Sequence, residues 1–283
     1  MEKITLLEIF QPFAQYRNPF TFYYAQSYPL PPKSTIIGML QNITGNYYDK
    51  DKNFYDIKVS VHGGFESFFW NYQSLIKGAK DGITLKKYKG EIKLWNQGFP
   101  LYGNGITSQR SPVFQQELFN GHLYIFLKGE EHLIEEIEKS LLNPSKIPYI
   151  GRSEDIIFLR GIHSEEEFSI SENTTKKNIW LTLPAYIKLK IKNDSYQEFP
   201  IKNEKFPVYS IPLKVTFKNG ENSITNKAEI TKSTKRVPEF ETVMYTGLDQ
   251  VIFLKKDEKV KVENYNIKDR NLTFKIPGEF GWL

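Results

Sequence analysis

Residues 28–40 read YPLPPKSTIIGML, and this segment decides how the first part of the chain is organised. Its prolines interrupt regular structure, and Ser34 or Thr35 can then cap a helix by accepting hydrogen bonds from free backbone N–H groups. Apolar residues then recur at helical spacing, and Gly45 follows where a helix would stop. The segment therefore predicts a sharp turn into a short helix with a buried apolar face.

The segments on either side of this helix predict a β-α-β-β-α-β order. A strand at residues 4–10 precedes the helix, and a strand rich in valine and aromatic residues follows at 57–69. A third strand at 118–127 leads into a second helix at 130–142, and the last strand ends near residue 159. This is the order of a ferredoxin-like (RRM-like) α+β fold, in which two helices cover one face of a four-stranded antiparallel sheet. The other face is then open to a ligand.

The positive charge of the chain is concentrated between residues 77 and 110. The net charge is +5, and seven basic residues stand in this segment against Asp81 and Glu91, which is the same excess. Aromatic residues are interleaved with them, and single-stranded RNA requires this mixture of cations for phosphates and rings for unpaired bases. A solvated surface hairpin is the alternative interpretation. Candidate RNA contacts here are Lys86, Lys87, Lys89, Lys93, Trp95 and Arg110.

After about residue 168 the pattern indicates strands alone. Apolar residues alternate with lysines at 187–192 and 259–262, and Pro, Asn and Gly separate the short runs. We therefore predict two domains: a ferredoxin-like domain at residues 1–177, with a protruding β-hairpin thumb at about 77–115, and a β-rich domain at 178–283.

Composition excludes several kinds of site. The chain has no cysteine, so disulfides, thiolate metal sites and thiol nucleophiles are absent. Its histidines are not in the basic segment and do not follow a lysine, so we expect them to be structural or solvent-exposed; they are His62, His122, His132 and His163. We predict no catalytic residue, cofactor or metal. The chain lacks the pattern of a signal peptide or a membrane span, so we expect a cytoplasmic protein without a membrane partner.

Residues 28–40 resemble the N-terminal signature of CRISPR-associated protein Cas family 5, in the RAMP superfamily. The matching positions are Tyr28, Pro29, Pro31, Pro32, Ser34, Thr35, Gly38, Met39 and Leu40. Residues 148–156, PYIGRSEDI, are similar to the second signature of that family, and the final GEFGWL is similar to chains of its subtype I-B branch.

The resemblance implies a non-catalytic subunit of a type I, and specifically I-B, Cascade complex for antiviral defence. Family members cap the 5′ handle of the CRISPR RNA, and they contact the neighbouring backbone subunit and the large subunit. Contact with target DNA through the assembled complex stays open. In the family a hairpin thumb projects between the second and third strands, where the basic segment lies in this chain.

Further candidate RNA contacts lie in the two signatures and just after the first strand. Lys33, Ser34 and Thr35 stand at a helix N-terminus, whose free N–H groups and dipole favour a phosphate, although capping alone explains them equally well. Arg17 lies among aromatic residues, either as a phosphate clamp or as a surface side chain. Arg152 follows Gly151 and has the same two interpretations; for the first, the missing side chain of Gly151 would let an RNA backbone approach.

Two other functions stay open from the residues. Some relatives cleave precursor CRISPR RNA without a metal, and Tyr47 or Tyr48 could pair with a lysine base for that chemistry. A single-stranded RNA-binding protein outside CRISPR systems would also use a basic, aromatic segment.

Overall fold

The N-terminal part of the chain has the predicted order of elements. The computed structural model describes residues 2–21, 24–46, 54–77, 109–191, 197–201, 206–224, 229, 231, 234–247, 250–268, 270 and 272–283. Its first elements are β1 (Glu2–Ala14), β2 (Tyr24–Ala25), α1 (Lys33–Thr44), β3 (Lys58–Lys77), β4 (Gln109–Glu130), α2 (Glu131–Leu142) and β5 (Phe158–Ser164). Apart from the short β2, these follow the β-α-β-β-α-β order.

Four long strands form one antiparallel sheet in the order β3-β4-β1-β5, and the two-residue β2 pairs in parallel with β4. Strand β1 pairs with β4 from Glu2 opposite Glu130 to Ala14 opposite Leu118. Alternate side chains of β1 point to opposite faces, so its two sides contribute to different cores. The central position of β1 and β4 explains why both strands are the most buried of the sheet.

Helix α1 begins two or three residues earlier than a cap at Ser34 or Thr35 would place it. Pro32 is its N-cap, its carbonyl accepts from the N–H groups of Thr35 (3.0 Å) and Ile36 (3.2 Å), and no side chain caps the helix. The predicted cap by Ser34 or Thr35 is therefore wrong, because both residues already lie in the first helical turn. The predicted end is confirmed, since Gly45 adopts a left-handed φ of 76°.

Helix α2 packs its apolar stripe against the sheet with one exception. Leu133, Ile134, Ile137 and Leu141 are buried against the sheet, whereas Leu142 is exposed. Leu142 is the last residue of the helix, so its side chain extends past the edge of the core.

The hairpin of β3 and β4 is longer than predicted. Its strands pair continuously from Lys58 opposite Lys128 to Lys77 opposite Gln109. Strand β4 thus already includes residues 109–115, which we predicted to belong to the thumb. The candidate contacts Lys86, Lys87, Lys89, Lys93 and Trp95 lie outside the described residues.

The described chain after β5 consists of strands and short 3₁₀ turns. Its strands are β6 (Phe168–Thr175), β7 (Asn178–Trp180), β8 (Tyr186–Lys188), β9 (Lys190–Ile191), β10 (Gln197–Glu198), β11 (Val208–Asn219), β12 (Asn222–Ser223), β13 (Lys235–Tyr245), β14 (Val251–Phe253), β15 (Val260–Ile267) and β16 (Leu272–Ile276). They form the sheets β12-β11-β13-β8 and β16-β15-β6 and the pairs β14-β7 and β10-β9. The fold is thus mostly β, with two α helices among the described residues.

The later strands cover both sides of the first sheet. Leu7 of β1 lies in the core that contains α1 and α2, and Tyr186 and Val243 from β8 and β13 join that core. Leu6, on the opposite face of β1, packs with β6, β15 and β16 in a second core that includes Phe274. The predicted open face of the sheet is therefore only partly open. The boundary predicted between residues 177 and 178 stays a prediction.

A short segment near residue 283 closes the edge of β3. Leu283 and Val59 exchange two backbone hydrogen bonds of 2.8 and 3.2 Å. Trp282 is buried beside Leu283, and its indole N–H donates to Glu263 on β15 at 3.2 Å. The inner half of β3 is therefore paired on both sides.

Neither described α helix, at twelve residues each, is long enough to cross a membrane.

Candidate nucleic-acid interface

The outer half of the β3–β4 hairpin exposes a continuous row of aromatic rings. Tyr24 on β2 stacks on Phe114 of β4, with ring centroids 5.5 Å apart and planes within 13°. Phe114 also contacts Tyr72 of β3 at 5.4 Å, and Tyr24 contacts Trp70 of β3 at 6.1 Å. Trp70 is 43% exposed and Tyr72 is 61% exposed. We name these four residues the stem aromatics.

The other face of the same hairpin carries a smaller group of exposed rings. Phe13 of β1 lies 5.3 Å from Phe119 of β4 and 6.4 Å from Phe69 of β3, measured between ring centroids. Residues 66–70 of β3 are all exposed, which shows that both faces of the strand are open to solvent there. At these residues, β3 therefore extends beyond the packed part of the sheet. We call the outer half of the β3–β4 hairpin the stem.

The open part of the sheet carries a cation beside three rings. Phe10 of β1 contacts His122 of β4 at 5.2 Å and Phe158 of β5 at 6.2 Å between centroids. The guanidinium of Arg160 lies over the Phe10 ring at 5.2 Å. Arg160 was not among the predicted site residues, because the sequence predicts that the last strand ends near residue 159, whereas β5 extends to Ser164. The alternation of aromatic and basic residues at 158 and 160 was the signal available.

Arg152 is enclosed in a polar network. The buried carboxylate of Asp155 accepts from the backbone N–H groups of Gln15 (3.1 Å) and Arg152 (2.8 Å). The Arg152 guanidinium donates to both oxygens of Asp155 and to Glu117 of β4 at 3.2 Å. Burial opposes the charge of Arg152, but hydrogen bonds and attraction from Asp155 and Glu117 outweigh it and raise the pKa. The charge is thus balanced within the protein.

Gly151 allows this network to pack closely. Its φ of 112° is unfavourable for other residues, and a Cβ there would lie 2.6 Å from Asp155 Oδ2 and 3.0 Å from the carbonyl oxygen of Gln15. Gln11 completes the network by donating to the carbonyl oxygens of Ile150 (2.7 Å) and Asp155 (3.0 Å). The space beside Gly151, which we predicted for an RNA backbone, contains oxygens of the protein itself.

Glu117 connects this loop to the hairpin. Its Oε1 accepts from Asn71 of β3 at 3.0 Å as well as from Arg152. The side chain is buried, so these bonds lie mostly out of water. The contacts join the second signature, β4 and β3 at the base of the stem aromatics.

The start of α1 is also enclosed. Lys33 is only 8% exposed, and its Nζ donates to the main-chain oxygen of Leu283 at 3.1 Å. Burial is the main cause that lowers the pKa of Lys33 to about 8. Ser34 and Thr35 are partly buried in the first helical turn. The structure therefore shows a packed helix start whose lysine already has a partner.

Two further candidate contacts lie near the stem. Arg17 is exposed after β1 and forms an isolated antiparallel bridge with Ser27. Arg110 lies in β4, where its backbone is opposite Ile76 of β3. Both positions are consistent with a ligand that follows the hairpin.

The histidines have different surroundings. His62 is buried, its Nε2 lies 3.0 Å from Ser60 Oγ, and burial lowers its pKa to about 3, so the ring is neutral. His163 Nδ1 contacts Glu167 at 3.0 Å, whereas His122 and His132 are exposed. Within the described ranges, no group of three His, Asp or Glu side chains is placed to hold a metal. His122 is the histidine that lies on the open part of the sheet.

The sequence profile of one protein family covers most of this chain. The family Cas_Cas5d, described as CRISPR-associated protein (Cas_Cas5), matches residues 4–252. The chain belongs to this CRISPR-associated Cas5 family. The suspected family is thus confirmed, while the subtype is a separate question.

Comparisons with solved structures and curated proteins give weaker similarities than the family profile. The chain is similar to a "Crystal structure of Cas protein", with 17% identity, a TM-score of 0.33 and coverage of 54% of this chain and 58% of that one. It is similar to a "CRISPR RNA-guided surveillance complex" chain (10%, TM-score 0.47, 89% and 90%) and to a CRISPR protein from Archaeoglobus fulgidus (11%, TM-score 0.38, 97% and 98%). With TM-scores below 0.5, these similarities support no argument alone. No curated protein matches the chain.

Proposed function

We propose that this Cas5-family protein is a non-catalytic subunit that binds the repeat-derived 5′ handle of a CRISPR RNA. Membership of the family supports a role in CRISPR systems. The observation that carries the RNA-binding role is the row of stem aromatics, three of which belong to β3 and β4, the strands that come immediately before and after most of the basic segment in the sequence. Exposed rings next to lysines are what unpaired bases and phosphates require.

The proposal places the RNA along the hairpin. The stem aromatics Tyr24, Trp70, Tyr72 and Phe114 stack bases, and the lysines of the basic segment bind phosphates. Arg17 and Arg110 lie beside this path. The ferredoxin-like scaffold consists of β1, α1, β3, β4, α2 and β5. The outer part of the β3–β4 hairpin serves as its thumb.

The complex is part of the same proposal. One similar structure is described as a CRISPR RNA-guided surveillance complex. Because that chain is only 10% identical to this one, the assembly of this protein into such a complex is a proposal. We assign the protein to a type I, subtype I-B, Cascade complex in the cytoplasm. There it contacts the backbone subunit and the large subunit.

Competition binding tests the RNA-binding role. The purified full chain is titrated with a labelled synthetic RNA that carries the repeat-derived 5′ handle, against unlabelled handle RNA and a scrambled RNA of equal composition. We expect the handle RNA to compete at least tenfold better. Equal competition would instead indicate a generic single-stranded RNA-binding protein.

A cleavage assay tests the non-catalytic assignment. The protein is incubated with full-length repeat RNA in the presence of a chelator, and the products are separated on a denaturing gel. We expect uncut RNA. Cleavage at the handle boundary that disappears in His122→Ala would establish the endoribonuclease alternative, because His122 is the exposed histidine on the open part of the sheet.

A further inference from the structure

We propose that Phe10, Phe158 and Arg160 form a subsite for one unpaired nucleotide, separate from the stem aromatics. The base stacks on Phe158, and the phosphate binds Arg160. This inference rests on the proposed RNA-binding function and assigns a second position to the same ligand.

A β-bulge directs Arg160 into this position. Gly161 lies opposite Glu8 of β1, but Leu159 lies opposite the next residue, Ile9. Arg160 is therefore the extra residue of β5 that has no partner on β1. Bulges re-aim side chains and are frequent beside functional sites. Here the guanidinium lies over Phe10 rather than out along the edge of the sheet.

The charge of Arg160 is available to a ligand. Among the described residues, no carboxylate lies within 4 Å of its guanidinium, and its side chain is exposed. Arg270, on the same side of the sheet, differs because it donates to Glu8 at 2.6 Å. An arginine held by a ring but not by an acid keeps its donors free for a phosphate.

The rings beside Arg160 leave room for a base. Phe158 is 50% exposed and His122 is exposed, although both contact Phe10. The strands β6, β15 and β16 cover this face of β1 only around Ile4 and Leu6. An exposed ring next to an unpaired cation matches the chemistry of a nucleotide in single-stranded RNA.

This group is distant from the stem aromatics. His122 and Phe114 are eight residues apart on β4, which corresponds to about 27 Å along the strand. One nucleotide does not reach both places. The two surfaces therefore bind different nucleotides of one RNA, and each can be removed while the other is kept.

The test compares three variants of the full chain with the wild type. Affinity for the labelled handle RNA is measured at several salt concentrations for Arg160→Ala, Phe158→Ala and Arg236→Ala. Arg236 is the matched control because it is exposed and lies over the Phe217 ring at 5.6 Å, on β13. We expect Arg160→Ala and Phe158→Ala each to bind about tenfold more weakly, and Arg236→Ala to bind like the wild type.

The salt dependence separates the two roles. In Arg160→Ala the slope of log affinity against log salt becomes shallower by roughly 0.7, because one phosphate contact is lost. In Phe158→Ala the slope stays unchanged, because a stacking ring releases no counterion.

Each outcome has one meaning. Wild-type affinity in both variants, or equal loss in Arg236→Ala, would overturn the subsite. Preference of the wild type for handle RNA together with unchanged Arg160→Ala would leave the proposed function standing without the subsite. Weaker binding by Arg160→Ala, when the wild type shows no preference for handle RNA, would support the subsite and overturn the proposed handle-binding function. Failure of the wild type to bind either RNA would overturn both.

Discussion

The loop at residues 148–157 and the strand β5 that follows it carry one arginine each, in opposite surroundings. Arg152 lies within 3.4 Å of three carboxylates, those of Glu117, Glu154 and Asp155. Arg160 lies over a ring and has no acidic partner among the described residues. The arginine within the family signature therefore holds the scaffold together, and the arginine outside any motif is the one available to a ligand.

The first signature and the outer half of the hairpin also differ in whether their side chains are enclosed or exposed. Lys33 is enclosed and bound to Leu283, whereas Trp70 and Tyr72 are open to solvent. A residue of a recognisable sequence motif can thus be enclosed by the protein itself, while exposed rings lie outside any motif. A sequence can be distinctive because many of its side chains must satisfy one another in a buried network.

The largest effect should come from Arg152→Ala. Removing this guanidinium leaves Asp155 and Glu117 as buried carboxylates without a cation, so we expect the free energy of unfolding to fall by about 3 kcal/mol. Urea denaturation monitored by tryptophan fluorescence measures this loss. A change below about 0.5 kcal/mol, the size typical of a surface site, would contradict the enclosed role of Arg152.

Trp70→Ala should affect RNA binding rather than folding. Loss of one stacking ring is expected to weaken binding of the handle RNA by about 1–3 kcal/mol. Fluorescence anisotropy with labelled RNA measures the change. Trp180→Ala, which removes an exposed tryptophan of β7, is the control and should bind RNA like the wild type. Equal weakening in both variants would show that the stem has no special role.

The enclosed position of Lys33 predicts a pH dependence. Its pKa is about 8 in the folded protein, because of burial, and near 10.5 in the unfolded chain. Between these values the unfolded chain binds more protons, so stability increases as the pH rises from about 8 to 10.5. Lys33→Met should remove this increase. Denaturation of both proteins at pH 7.5, 8.5 and 9.5 tests it, and a constant difference between them would show that Lys33 is not desolvated.

The smallest effect on stability should come from Arg160→Ala. This side chain is exposed and has no ion pair among the described residues, so we expect the free energy of unfolding to stay within about 0.5 kcal/mol of the wild type. The same urea series as for Arg152→Ala measures it. A loss comparable with that of Arg152→Ala would abolish the distinction between the two arginines.

The sequence predicts the order of elements well and the extent of strands poorly. Apolar spacing around Ile36 and Ile137 identifies both helices, and Gly45 marks the end of the first. The outer part of the hairpin was missed because the buried positions of its strand β4 include the polar Gln115 and Glu117, which removes the apolar alternation that reveals a strand. The pairing register, not the residue pattern, extends β3 to Lys77.

The candidate site was less predictable for a related reason. The role of Arg152 depends on Glu117 and Asp155, and only the fold brings Glu117, 35 residues away, into contact. Likewise, Phe10 and Arg160 are distant in sequence and meet because β1 and β5 are neighbours. A single sequence shows which residues are charged, but not which charges are already balanced.

The pairing of Leu283 with Val59 has a consequence for synthesis of the protein. A ribosome completes β3 more than two hundred residues before it adds the segment that pairs with its inner edge. During this time the nascent sheet has an unpaired edge, which other chains can extend by β-pairing. We therefore expect nascent chains arrested before residue 277 to associate with chaperones, and full-length chains to be released from them.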